Sequence, residues 1–232
     1  MIKKSKLLKS FFYRIYSSII TFLIAYFLTR NLAASISIGV LDSVFKIASY
    51  YLFDEIWTNI IGFKAKPTVI WLTGLSGSGK TTIAYSLMEK LKKKSVIPVL
   101  LDGDEIRQAI RQTGFDEDSR KKHNRNVGYI ASLFEKQGNI VIVSLISPYD
   151  DTRKEVRAIC SNFIEVYVAT DLDICIQRDK KGLYKKALTG ELKFFTGISA
   201  PYHPPINPEI KIDTSKMTVS ECSDVIFRYM KK

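Results

Sequence analysis

The sequence predicts an α/β fold, a five-stranded parallel sheet flanked by helices, preceded by a two-helix transmembrane hairpin. Three observations predict it. From residue 68 onward, short Val- and Ile-rich runs alternate with helix-like segments, the pattern of a parallel sheet covered on both faces. A glycine-rich stretch around one lysine, WLTGLSGSGKTT at 71–82, directly follows the first of those runs. Two long apolar stretches lie at 11–29 and 32–53.

The hairpin comes first. FFYRIYSSIITFLIAYFLT is apolar apart from Arg14 and a few hydroxyls, and the second stretch carries only Asp42 and Lys46 as charges. At ~1.5 Å per residue each can cross a ~30 Å hydrocarbon layer. The first stretch ends in TRN with no small-residue cleavage pattern and is followed by a second apolar stretch, which argues against a signal peptide. Apolar residues surround both helices and leave no polar stripe, unlike a soluble amphipathic pair. Lys3, Lys4, Lys6 and Lys9 precede the hairpin, Arg30 alone marks its turn, and Lys64 and Lys66 follow it. The positive-inside rule then puts both ends, and the domain that follows, on the cytoplasmic side of the inner membrane. Asp42 and Lys46 stand four apart on one face and partly neutralise each other, and Lys46 can also snorkel toward the cytoplasmic end. The expected domains are 1–64, the transmembrane part, and 65–232.

In the second domain the expected strands are 68–73, 96–102, 139–146, 163–169 and a weaker 209–214. The expected helices are 79–94, 104–112, 116–137, 150–160, 171–178 and 218–231, with 190–208 as a loop. Net charge is +12 over 232 residues, which suits anionic partners. Many of the lysines sit at the N-terminus, on helix ends and near 180–193, and no nucleic-acid motif accompanies them, so no nucleic-acid partner is expected. Cys160, Cys175 and Cys222 are odd in number without CxxC spacing. That argues against a disulfide framework or a zinc site, and suits a reducing cytosol.

Gly74, Gly79, Lys80 and Thr81 fit G-x-x-x-x-G-K-[ST] between a strand and a helix, the context that makes this phosphate-binding loop credible. Backbone N–H groups of Gly74, Leu75, Ser76, Gly77, Ser78, Gly79, Lys80, Thr81 and Thr82 are expected to cradle the phosphates of ATP. Lys80 should reach the β- and γ-phosphates, and Thr81 should hold Mg²⁺. LLDGDEIR puts Asp102 and Asp104 at the C-terminal end of the second strand, where open α/β sheets bind ligands. Asp102 is expected beside Thr81 at the metal, and Asp104 at an acceptor hydroxyl. A plainer role is a turn and helix cap, with Asp104 as the cap; the two are compatible. No NKxD accompanies the loop, which lowers the GTPase reading.

Two resemblances cover nearly the whole chain. YRI, AASISIG, the lysine of the second helix and YYLFDEIWTNIIGF resemble, over roughly 7–63, a small two-helix membrane domain of unknown function. GLSGSGKTT, LDGDEIR, GFDEDSR, SLISPY and RDKKGLYKKALTGELKFFTGISAPYHPP together resemble, over roughly 66–232, the adenylylsulfate kinases. That resemblance implies a P-loop kinase that phosphorylates the 3′-hydroxyl of adenosine 5′-phosphosulfate (APS) with MgATP, giving PAPS and ADP. It implies that Asp104 lies near the accepting hydroxyl, that Arg107 and Arg120 contact the phosphosulfate side, and that Phe115 and Phe195 stack on opposite adenine faces. Ile146 and Ser147 would belong to the acceptor pocket. Ser147 matches a serine that carries a phosphate in some members, and joins Lys80 and Asp104 as a catalytic expectation. Lys181 and Leu183 would come from a lid at 178–200. The chain departs from the family at RKKHNRNVGYIA, where His123 stands for the usual asparagine and Asn126 for one of two arginines, while Arg125 remains. RDKKGLY also replaces RDPKGLY. His123 is still expected to bond the acceptor. Two alternatives stay open: a kinase of another nucleotide conjugate such as a cytidine diphosphoramidate, and a membrane-tethered nucleotide-sensing scaffold without turnover. Oligomeric state is open too, a homodimer among the options. The expected partners are ATP, APS and, through 11–53, a lipid bilayer.

Overall fold

A computed structural model describes residues 2–60, 66–179 and 181–231, with side chains from 15 to 52 in the first of these. Lys64 and the side chains of the N-terminal lysines lie outside the described residues. Two compact units, Met1–Gly62 and Phe63–Lys232, divide the chain.

The first unit is two helices, α1 (Ile2–Thr29) and α2 (Leu32–Ile60). Arg30, in the left-handed region at φ 51°, makes the turn between them. Asn31 then caps α2, its Oδ1 accepting from the Ala34 N–H at 3.1 Å. Phe27, Leu28, Leu41, Phe45 and Tyr51 are exposed, an outer surface suited to lipid. Among the described residues, Leu32–Leu52 is long and apolar enough to cross a membrane, and Ile15–Thr29 is apolar but shorter. The first expected crossing therefore begins among side chains outside the described set.

In the second unit the sheet is built from β1 (Thr68–Thr73), β2 (Val99–Asp102), β3 (Ile140–Ser144), β4 (Phe163–Val168) and β5 (Ile210–Ile212). All neighbours are parallel, in the order β2-β3-β1-β4-β5. Every β1 side chain is buried, as a central parallel strand requires. Ile70 and Leu72 pack on one face with Ile83, Leu87 and Leu91 of α3 (Lys80–Lys92) and Cys222 and Ile226 of α9 (Val219–Tyr229). Val69 and Trp71 pack on the other with Val127 and Ala131 of α5 (Glu117–Lys136) and Val156 of α6 (Asp150–Ile159). Short helices α4 (Gly103–Ala109), α7 (Leu172–Arg178) and α8 (Leu183–Leu188) surround the C-terminal strand ends. The cysteines are free, with Cys175 and Cys222 buried.

Three differences from the expected elements have local causes. β2 begins at Val99, after the turn at Ser95, whose φ is +62°. β3 stops at Ser144 because the chain crosses to the phosphate loop, Ile146 O accepting from the Gly74 N–H at 3.4 Å. The segment 183–188, read only as lid, forms a helix that buries Tyr184 and Ala187.

Polar groups, one buried and one half-buried, staple the layers. Glu135 on α5 accepts from the N–H groups of Ser161 (3.0 Å) and Asn162 (2.6 Å) before β4. Arg157 on α6 grips Glu209 with two bonds of 2.6 and 2.8 Å, the paired geometry that makes arginine–carboxylate contacts specific. α5 and α6 approach closely at Gly128, where an added Cβ would lie 2.4 Å from Val156 Cγ2. Replacing Gly128 by Val gains a few tenths of a kcal/mol of helix propensity but overpacks a stiff β-branched neighbour at a cost of roughly 1–3 kcal/mol. Gly128→Val should therefore lower the thermal midpoint by about 2–10 °C, and Val156→Ala in the same chain should return part of the loss. An unchanged midpoint would show that the α5–α6 contact yields freely.

Candidate active site

The phosphate loop leaves β1 with almost no side chain because neighbouring backbone occupies the space. A Cβ on Gly74 (φ 154°) would lie 2.6 Å from Val168 O. Gly79 opens α3 in the left-handed region at φ 101°, a conformation glycine adopts without steric cost. Lys80, 8% exposed, donates to Leu75 O at 2.7 Å. Burial pushes its pKa down to about 8, with Cys175, Asp104 and Asp102 partly opposing that shift.

Thr81 Oγ1 donates to Asp102 Oδ2 at 2.9 Å and lies 3.0 Å from Ser144 Oγ. The first turn of α3 and the ends of β2 and β3 thus converge on one set of hard oxygen atoms. Among the described residues no group of three or more His, Cys, Asp or Glu side chains forms a metal cage. A hydroxyl and one carboxylate beside a phosphate loop fit Mg²⁺, which commonly takes one or two protein oxygens and completes its shell with phosphate and water. Asp102, rather than Asp104, caps α4: its Oδ1 accepts from the Asp104 N–H at 3.0 Å. The helix starts one residue earlier than expected, at Gly103, where a Cβ would lie 2.0 Å from Leu145 Cδ2. Asp104 is thereby left free to face solvent, and Lys181 Nζ meets it at 2.7 Å.

Lys80, Thr81, Asp102 and Asp104 line one cavity of about 770 Å³ together with Phe115, Arg120, Ile146, Lys181, Leu183 and Phe195. Arg120, 8% exposed, donates from Nε to Phe115 O at 2.6 Å, from Nη1 to Thr196 Oγ1 and from Nη2 to Phe194 O. Phe195 stands edge-on to Tyr184, centroids 4.9 Å apart, and the Tyr184 hydroxyl donates to Ser76 O at 2.9 Å. The segment after α7 is so tied to both α5 and the phosphate loop.

Three expected acceptor residues do not line the cavity. Arg107 donates to Gly114 O at 2.6 Å and lies over the Phe115 ring, 4.7 Å from its centroid. Ser147 is buried at φ 45°, its Oγ accepting from Asn124 Nδ2 at 3.3 Å. His123, 2% exposed, bonds Gly103 O through Nε2 at 3.1 Å. A carbonyl only accepts, so Nε2 carries the proton, and burial, helped by Arg107, holds the imidazole pKa down to about 4. His123 is therefore neutral and supports the turn that carries Asp102 and Asp104.

Sequence reasoning missed the cavity's other end. Arg178 donates to Thr214 Oγ1 (2.7 Å) and Thr214 O (3.0 Å), and both residues line the cavity beside Met217 and Val219. It also missed Arg153, 2% exposed, which donates to Ser147 O, His203 O and Glu165 Oε1, each at 2.8 Å. An arginine amid a short apolar-and-acidic helix pattern gives no signal that distinguishes it from a surface cation.

The chain's likeness to known proteins follows this geometry. Residues 66–213 match the family model described as adenylylsulphate kinase. Residues 7–58 match a model described as a predicted membrane protein (DUF2061). The adenylyl-sulfate kinase of Rippkaea orientalis is 46% identical over 170 residues, spanning 73% of this chain and 94% of that protein. A probable adenylyl-sulfate kinase of Bacillus subtilis is 45% identical over 73% of this chain and 87% of its own length. The solved APS kinase of Mycobacterium tuberculosis, in complex with AMPPNP and APS, superposes with a TM-score of 0.70 at 34% identity, over 72% of this chain and 99% of that one. With its intact phosphate loop, its two carboxylates at the β2 end and these relatives, the chain belongs to the adenylylsulphate kinase family and carries a predicted membrane domain ahead of its kinase domain.

Proposed function

We propose that this protein is a membrane-tethered adenylyl-sulfate kinase that moves the γ-phosphoryl group of ATP to the 3′-hydroxyl of APS on the cytoplasmic face of the inner membrane. The observation that carries the reading is one continuous cavity of about 770 Å³, with a phosphate loop at one side and Arg120, Phe115 and Phe195 at another. Anions need guanidinium and ammonium groups, and a flat base needs aromatic faces. The relative solved with AMPPNP and APS together supports a cavity that takes both nucleotides at once. The tether is supported by Leu32–Leu52 and by the match of residues 7–58 to a predicted membrane protein. The lysines at 3, 4, 6 and 9 support the cytoplasmic orientation.

In this reading the N–H groups of 74–82 hold the ATP phosphates, and Lys80 leaves Leu75 O to bond the transferring group. Thr81 and Asp102 would hold Mg²⁺, which offsets charge on the phosphate oxygens. Asp104 orients the 3′-hydroxyl and accepts its proton as the new O–P bond forms. The bond from the γ-phosphorus to the bridging oxygen breaks, and ADP leaves. Phe115 and Phe195 hold the adenine of APS, and Arg120 faces its anionic end. Ile146 and Leu183 close the apolar sides, while Lys181 releases Asp104 as the segment 178–200 folds over the acceptor. Closure that excludes water strengthens each of these contacts.

Two outcomes test the reading. The full chain in detergent should convert APS and ATP to PAPS and ADP, with kcat/KM for APS at least about tenfold above that for AMP or a cytidine diphosphate conjugate, because the site's donors lose their partners with either substitute. Turnover of the cytidine conjugate in preference to APS would reject the acceptor and leave the phosphoryl transfer standing. The second concerns Lys80. Its pKa in the free site is lowered to about 8, and its charged form is the one that binds phosphate. As pH rises through that value the free enzyme loses the charge, so kcat/KM for ATP should fall above about pH 8. The bound phosphates raise the lysine pKa again, so kcat should hold to higher pH. Lys80→Arg should keep kcat/KM for ATP flat across that range, even at a lower absolute rate. A wild-type profile that is flat to pH 10 would show that Lys80 stays charged throughout.

A further inference from the structure

The hairpin holds a charged pair that the kinase reaction does not use. Asp42 is midway along Leu32–Leu52, the stretch long enough to cross a membrane. Lys46 follows one turn later, its Nζ 2.7 Å from Asp42 Oδ2 and 2.7 Å from Ser17 Oγ on α1. Beside them Ser43 Oγ donates to Ser18 Oγ at 3.0 Å. α1 does not seal the pair: 35% of the Lys46 side chain and 22% of that of Asp42 remain exposed.

In hydrocarbon such a pair needs cover. Charged side chains within spans face a bundle interior or a water-filled cavity, and two helices enclose neither. Lys46 could snorkel toward the end of α2, but its ammonium is committed to Ser17 and Asp42. Asp42 has too short a side chain to reach either end of the span, each ten residues or ~15 Å away. An ammonium has three N–H donors; Ser17 Oγ takes one here, and Asp42 Oδ2, ion-paired at 2.7 Å, has no hydrogen-bond partner. Away from the pair the described outer surface is mostly apolar, with Phe27, Leu41 and Phe45 exposed; its exposed polar residues are Thr29, Arg30 and Asn31 at the turn and Ser37 and Ser49, whose hydroxyls donate to carbonyls of their own helix, so it needs no cover in lipid.

We infer that the Asp42–Lys46 face is an interface between the hairpins of two copies of this chain. A two-fold axis sets the same patch against itself. With a carboxylate and an ammonium one helical turn apart, that patch is self-complementary: Lys46 of each copy meets Asp42 of the other. The occupant is thus a second hairpin, and lipid covers the remaining faces.

The inference rests on the membrane reading above, and its test separates the two. Full-length chains carrying Cys160→Ser, so that the remaining native cysteines are the buried Cys175 and Cys222, are expressed with one added cysteine. Ser49→Cys stands on the Asp42–Lys46 side of α2, and Val44→Cys on the exposed opposite side. Membranes are washed with alkaline carbonate and then oxidised. Release of the chain by the wash would remove the membrane reading, and with it the interface. In retained protein, Ser49→Cys should form a disulfide-linked dimer at least about tenfold more than Val44→Cys. Asp42→Ala with Lys46→Ala should abolish that preference. Equal cross-linking at both positions, no cross-linking at Ser49→Cys, or a preference unchanged without the pair would each overturn the inference while the membrane reading stands. Self-association of the kinase domain alone does not select one face of α2, so it does not mimic the expected result.

Discussion

Arg120 commits three of its five N–H donors to protein carbonyl and hydroxyl groups: Phe115 O, Phe194 O and Thr196 Oγ1. Those acceptors lie on separate stretches of chain, one before α5 and two in the segment beyond α8. The guanidinium sits on the buried face of α5, so the longest described helix of the domain sets the position of both aromatic walls. Phe194 stands in the left-handed region at φ 58°, a conformation that costs on the order of 1 kcal/mol. The bond from Arg120 to its carbonyl helps to hold it there. Two donors remain, at the wall of the cavity.

The nucleotide end depends on a different constraint, the central place of β1. With β3 on one side and β4 on the other, the chain leaves β1 into a crowded corner in which only glycine fits at position 74. The side-chain-free loop that results is the surface on which phosphate binds. Thr81, Asp102 and Ser144 then meet because three elements end at one level of the sheet. Ser147 is held just behind them. Arg153 takes its carbonyl and Asn124 its hydroxyl, which places it as a support of the 144–149 crossing in this structure rather than as a surface for the acceptor.

Much of this was legible in the sequence. The spacing of Gly74, Gly79, Lys80 and Thr81 carries its own physics, so strand, loop and helix were placed within a residue or two. The alternation of apolar runs was sufficient for a parallel sheet, and the DGD aspartates at a strand end were sufficient for a site. What stayed hidden depends on contacts distant in sequence. Nothing local shows that β3 inserts between β1 and β2. Nothing local shows that His123 turns to Gly103 O instead of the cavity, or that Asp102 rather than Asp104 caps α4. The short helix α8 was missed because Lys185, Lys186 and the flanking Gly182 and Gly190 mask the apolar positions Leu183, Tyr184 and Ala187. The adenylyl-sulfate kinase resemblance, by contrast, rested on several linked motifs, and the relatives of this chain bear it out.

The central claim is that Arg120 builds the acceptor end without touching the ATP end, and a single substitution addresses it most directly. Lysine keeps the charge but cannot supply three planar donors. Steady-state kinetics of Arg120→Lys in the full chain should show kcat/KM for APS reduced by on the order of ten- to a thousandfold, with KM for ATP changed by about twofold or less. A thermal midpoint within about 5 °C of the parent would show that the fold survives. Undiminished use of APS, or an equal loss toward ATP, would contradict the account.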